Sequence, residues 1–176
     1  MTARRKCDSM VLVASRLDLR ATLDTTSGTV TDILEQLVGE TIDAHAHDHR
    51  TVEADRANDL HVEVGEPLLH RAATLRGRTS GRSYVYAESI IVARRLPAEF
   101  CQRLQAGTDP IGRIFGEMGI PVSRDGAGWQ EGVPLPNLGV EIGGAILCRT
   151  YRIDSEQIPV MMITEWFFDT LVPFLR

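Results

Sequence analysis

Between Pro159 and Phe168 the chain reads PVMMITEWFF, and neither alternating face is polar. Met161, Ile163, Glu165 and Phe167 fall on one side. Val160, Met162, Thr164, Trp166 and Phe168 fall on the other. Such a strand belongs in the middle of a sheet with cover on both faces. It also carries Glu165 to a place with no easy route to water. A lone ionised carboxylate is costly to bury. Glu165 therefore pairs with a cation, for which Arg71, Arg149 and Arg152 are candidates, or it serves as a tuned group in a closed pocket. The pattern favours neither reading.

The rest of the chain supplies the partners for that strand. AILCRTYRID precedes it and forms a hairpin through a tight turn around Asp154–Gln157. PLLHRAATLRGRTSGRSYVYAESIIVARRLP reads as a longer hairpin turning near Gly77–Gly81. ETIDAHAHDHRTVEA alternates and predicts a further strand. Helices are expected at Met10–Leu23, and in TTSGTVTDILEQLVG, where a Ser or Thr caps the start and Gly39 closes it. LPAEFCQRLQAG has Pro97 early and Gly107 late, and TDPIGRIFGEMG has Asp109 as N-cap with Pro110 in the first turn. Gly126–Gly144 holds six glycines and two prolines and reads as an irregular, mobile cover. The sum is an α+β chain, a mostly antiparallel sheet with short flanking helices, in one domain over residues 1–176.

The charge balance narrows the partners. A net charge of −5 argues against a nucleic-acid footprint but leaves an anionic small molecule open. Cys7, Cys101 and Cys148 are odd in number and widely spaced, which suits free thiols in a reducing, cytoplasmic setting. The apolar stretch Met10–Ala14 is too short for a signal sequence, and no membrane span is expected.

Three features are candidates for chemistry. On the strand Leu69–Arg76, Arg71 shares the more apolar face with Leu69, Ala73 and Leu75. It is either a structural ion-pair partner or a guanidinium waiting for a carboxylate. In TDPIG, the backbone N–H groups of Ile111 and Gly112 lie in a helical first turn, as an ordinary helix start or an anion-binding end. In HAHDH, His45, His47 and His49 share one strand face. With Ala44 and Ala46 packing inward, a solvated face is expected and not a metal site. Nucleotide-binding, hydrolase and zinc-protease motifs do not occur.

The ordered set SGTVTDILEQLVGETI, LLHRAATL, YVYAESIIVARRLP, LQAGTDPIGRIF and CRTYRIDSEQIPVMMITEWF resembles the chorismate pyruvate-lyase family from about residue 20 to 168. The spacing of AES…LP…DPIG…RxYRI…PxxxxTExF carries the resemblance. It is most similar to the branch that makes 4-hydroxybenzoate for bacterial secondary metabolism. The resemblance implies a six-stranded antiparallel sheet, a small-molecule ligand enclosed beneath flaps, and no metal or organic cofactor. It implies conversion of chorismate to 4-hydroxybenzoate and pyruvate. Arg71 and the amide of Ile111, just before Gly112, match the family's carboxylate-binding groups, Glu165 its buried acid, and Val30 a further backbone contact. Gly126–Gly144 would be one cover over the ligand. Glu88 stands where the quinone-pathway branch carries an Arg, which implies a changed pocket rim, a different substrate, or a pairing with Arg71 or Arg152. The same fold serves as the effector-binding half of some regulators, behind a winged-helix domain. Only about 25 residues precede the matched region here, so an enzyme is the expectation.

Overall fold

In the computed structural model, residues 18–25, 28–55, 59–131, 133–135 and 144–175 are described. Six strands form one sheet: β1 (Ile42–Glu53), β2 (Pro67–Gly77), β3 (Ser83–Ile91), β4 (Ser123–Gln130), β5 (Ala145–Ser155) and β6 (Ile158–Phe168). Their spatial order is β1-β2-β3-β6-β5-β4, and every neighbouring pair is antiparallel. The two hairpins β2–β3 and β5–β6 thus lie side by side, and β6 is central as its two apolar faces demand.

Among the described residues four α-helices accompany the sheet. A first, α1, covers 18–25; the rest of the helix expected at Met10–Leu23 lies outside the described residues, as does Cys7. Helix α2 (Val30–Val38) begins at a reciprocal cap, in which Thr29 Oγ1 accepts from the Asp32 N–H and Asp32 accepts from the Thr29 N–H. It ends at Gly39, whose φ of 73° suits a residue without a Cβ. Helix α3 (Ala98–Ala106) runs from Pro97 to Gly107 as expected. Helix α4 (Ile111–Glu117) differs in detail. Pro110, not Asp109, is its N-cap, and no side chain caps it. The Asp109 carboxylate turns away and accepts from Arg103 Nε and Nη2 at 3.2 and 2.8 Å. Among the described residues no helix is long and apolar enough to cross a membrane.

One face of the sheet carries two apolar clusters. Leu19, Ile33, Leu75, Val85 and Phe167 gather beneath α1 and α2. Phe100, Leu104, Ile114, Ile91 and Met161 gather beneath α3 and α4. The opposite face packs Ala72, Tyr86, Cys148, Trp166 and Phe168, with Val133 and Leu135 against them. Residues 126–130, expected within an irregular cover, belong to the edge strand β4 instead. The described part that follows, Val133 and Leu135, packs on the face away from α2 and α4. Glycines at 126 and 128 hid this strand because they interrupt side-chain alternation. A bulge between Asp125 and Gly128 accommodates them.

Candidate active site

Antiparallel partners present their side chains on the same face, so register decides what meets. Arg71 on β2 pairs with Ser89 on β3, then Ile163 on β6 and Tyr151 on β5. The next row is Ala73, Ala87, Glu165 and Arg149. The β2–β3 hairpin contributes small side chains here (Ala73, Ala87, Ser89), and that missing volume opens a cavity between the two apolar clusters. Val30 from α2 and Pro110, Ile111 and Gly112 at the start of α4 roof it. It has about 620 Å³ of empty space including its open mouth, and Arg71 and Glu165 both line it. Their backbones lie two strands and two residues apart, roughly 12 Å.

The two charged groups are held differently. Arg71 is 4% exposed. Its Nη2 donates to the Asp109 carbonyl at 3.2 Å, while its buried Nε has no partner. Among the described residues it forms no salt bridge. Burial lowers it to about 10, with the charge of Asp109 opposing, so it remains a cation at neutral pH. It is a desolvated guanidinium with a free donor.

Glu165, also 4% exposed, has both carboxylate oxygens engaged. Its Oε2 accepts from Arg149 Nε at 3.2 Å and Nη2 at 2.7 Å, and its Oε1 accepts from the Tyr151 hydroxyl at 2.9 Å. Of the three candidate cations, Arg149 is the partner. Arg152 bonds Asp154 and Asp125. The Arg149 guanidinium sits 4.6 Å from the Tyr151 ring centre, 5.2 Å from Trp129 and 5.8 Å from Phe167. Burial is the largest single influence and works against its charge, but the Glu165 carboxylate, with Tyr151 and Asp24, raises its proton affinity on balance. Burial, then the same carboxylate, drives the Tyr151 phenol far above its usual range and keeps its O–H a donor.

Gly112 has a structural reason that its spacing did not disclose. A Cβ there would come within 2.5–2.8 Å of the Thr29 side chain, so the glycine lets α4 abut the cap of α2. The first-turn N–H groups of Ile111 and Gly112 have no partner inside the helix. The structure thus brings Val30, Arg71, Ile111, Gly112 and Glu165 to one cavity.

Two expectations fail. Glu88 is not on the pocket rim. It pairs in register with Ala72 and Thr164, accepts from the Tyr86 hydroxyl at 2.8 Å and lies 3.9 Å from His70, all on the opposite face. It therefore does not meet Arg71, Arg152 is held by Asp154 and Asp125, and Ala87 and Ser89 are the pocket residues of β3. Nor do the three histidines share a face. A bulge between Ala46 and Asp48 shifts β1 by one residue. His45 and His47 stay with Thr74, and His47 Nε2 shares a 2.6 Å hydrogen bond with Thr74 Oγ1. His49 pairs with Arg71 instead, and both its ring nitrogens are buried without partners. Burial, then Arg71, lowers its affinity for a proton. Among the described residues no three His, Cys, Asp or Glu side chains are grouped to hold a metal. Sequence reading had no signal for the bulge, and none for Tyr151 or Ser89 as pocket residues.

Residues 25–175 match a family model described as chorismate pyruvate-lyase Rv2949c-like. The chain belongs to this family. A chorismate pyruvate-lyase of Mycobacterium tuberculosis is 30% identical over 159 residues, spanning 85% of this chain and 79% of that one. A chorismate pyruvate-lyase of Mycobacterium leprae is 31% identical over 156 residues, spanning 85% and 73%. Solved structures share the fold at low identity. PhnF from Mycobacterium smegmatis matches with a TM-score of 0.55 and 13% identity over 83% of this chain and 66% of that one, slightly under two thirds of its length. The ligand-binding domain of a GntR-family regulator from Bordetella bronchiseptica matches at 0.53 and 17% identity, over 72% and 85%. This chain thus shares an architecture with those structures, and the six-stranded antiparallel sheet is as the resemblance implied.

Proposed function

We propose that this protein is a cofactor-free lyase that converts chorismate to 4-hydroxybenzoate and pyruvate. The observation that carries the reading is Arg71, a buried cation with an unpartnered donor and, among the described residues, no salt bridge, in the same cavity as a fixed carboxylate. The family membership and the names of the mycobacterial relatives support the choice of substrate. In this reading Arg71 clamps the ring carboxylate, with the amides of Ile111 and Gly112 beside it. Helix α4 has only seven residues, so Arg71 supplies most of the attraction. Glu165 accepts a hydrogen bond from the ring hydroxyl at the far end, and the backbone at Val30 closes the near side.

Held this way, chorismate is poised for elimination. The ring C–H bond at the hydroxyl-bearing carbon breaks, its electron pair enters the ring, and the neighbouring carbon–oxygen bond to the enolpyruvyl group breaks. The ring becomes aromatic, and the proton ends on the departing group, giving pyruvate. Three donors already aimed at Glu165 oppose its taking that proton, which favours the departing group as acceptor. Aromatisation supplies the driving force, and the chain contributes orientation and exclusion of water. Supply of 4-hydroxybenzoate to secondary metabolism is the role the resemblance suggests.

Incubating the purified protein with chorismate tests this directly. 4-Hydroxybenzoate and pyruvate should appear in equal amounts well above the uncatalysed rate; no excess would end the proposal. Arg71→Ala should weaken 4-hydroxybenzoate binding by about 2–5 kcal/mol, because it removes a buried charge partner.

A further inference from the structure

The cavity contains a second arginine with no part in the scheme above. Arg124, on the edge strand β4, lines its mouth. Its guanidinium lies 5.6 Å from the centre of the Tyr151 ring, and Nη1 donates to the Gly28 carbonyl at 2.8 Å. Among the described residues no ion pair involves Arg124. The acids around it are engaged elsewhere. Asp32 accepts from the Thr29 N–H and hydroxyl, both at 2.8 Å. Asp125 accepts from Arg152 at 2.8 Å. Glu165 is held by Arg149 and Tyr151. Arg124 is an exposed cation at the mouth of an apolar cavity, and its partners among the described residues are neutral, the Gly28 carbonyl and the Tyr151 ring. A carboxylate displaces that carbonyl because charge-assisted hydrogen bonds are stronger.

The sheet order fixes the separation of the two free cations. Arg71 on β2 and Arg124 on β4 are four strand spacings and two residues apart, roughly 20 Å between backbones. Ser89, Ile163 and Tyr151 lie on the strands between them. Two cations approaching one chamber from opposite walls, with the intervening acid neutralised by its own arginine, match a dianion.

The geometry points to Arg124 as the receptor for a second carboxylate, making this a site for a dicarboxylate with its acid groups far apart. The inference rests on the reading of Arg71 as the ring-carboxylate clamp, and it names how the rest of the substrate is recognised. The enolpyruvyl ether carries such a carboxylate, beside the ring hydroxyl that faces Glu165. On entry it replaces the Gly28 carbonyl on Arg124 and breaks the tie between β4 and the loop before α2. When the three-carbon acid leaves, the tie reforms. Arg124 is thus a specificity determinant for substrate over product, because the product keeps only the ring carboxylate.

Calorimetric titration with two stable probes tests this without relying on turnover. One is 4-hydroxybenzoate; the other is 3-(carboxymethoxy)-4-hydroxybenzoate, which adds an ether-linked carboxylate beside the hydroxyl. The wild type should bind the dicarboxylate at least tenfold more tightly. Arg124→Gln should bring the two within threefold while leaving 4-hydroxybenzoate within threefold of wild type, which also reports an intact fold. Arg124→Lys should keep part of the preference. No preference in the wild type, an undiminished preference in Arg124→Gln, or equal loss of both ligands overturns the inference. Chorismate turnover by the wild type is measured alongside. Turnover with an Arg124-independent preference removes the inference and leaves the lyase. An Arg124-dependent preference without turnover does the reverse, and failure to bind either probe removes both.

Discussion

Arg149 lies beneath Glu165 with the rings of Trp129, Tyr151 and Phe167 around its guanidinium. Replacing it with Met would leave the carboxylate buried with the Tyr151 hydroxyl as its remaining donor, at a cost of about 3–5 kcal/mol. Urea denaturation of Arg149→Met should show that loss, and the double variant Arg149→Met/Glu165→Leu should recover most of it. His49 makes a different prediction. Its proton affinity is lowered in the folded state from the usual 6.5, so the unfolded chain binds the extra proton first as pH falls. Its contribution to stability is complete above 6.5 and is lost as pH drops through that value toward the lower folded one. Denaturation midpoints at pH 7.5 and 5.5 should differ more in the wild type than in His49→Phe. Arg71 and Glu165 were legible in the sequence because each is a charge on an apolar face. The partner of Glu165 was not, since three arginines fit the composition and only the β5–β6 register puts Arg149 opposite Glu165.

That register depends on a turn with unfavourable residues. Glu156 and Gln157 both have positive φ, 50° and 67°, where Asn and Gly are at ease. Replacing the pair with Asn-Gly should stabilise the protein by about 1–2 kcal/mol, seen as a higher denaturation midpoint with unchanged ligand affinity. The elements read correctly from sequence are those with strong periodicity and clear punctuation: α2 between Thr29 and Gly39, β1, and both hairpins. The failures have local causes. Strand β4 is interrupted by glycines. The cap of α4 passed from Asp109 to Pro110 because Arg103 takes the aspartate. The β1 bulge, a one-residue insertion, reversed the facing of His49 with nothing in the letters to announce it.

Across the whole molecule the sheet separates two environments. Ala73, Ala87 and Ser89 open a chamber on the face covered by α2 and α4, while the bulky Tyr86 and Trp166 fill the other. The resemblance named Val30, Arg71, Ile111, Gly112 and Glu165, which all line that chamber; it also implied Glu88 at the rim, and the β3 register puts Glu88 on the other face. A ligand that binds only the folded form stabilises it by mass action. 4-Hydroxybenzoate at about a hundredfold excess over its dissociation constant should add about 2.7 kcal/mol, read as a rise in melting temperature that Arg71→Ala cuts to about 1 kcal/mol or less at the same ligand concentration. Arg71 arrives with one hairpin and Glu165 with the other, and they meet across the β3–β6 seam. A chain with one hairpin formed carries half a receptor. Capture of the small molecule therefore requires both hairpins, and a chain whose β3–β6 seam has not zipped has no complete grip on its ligand.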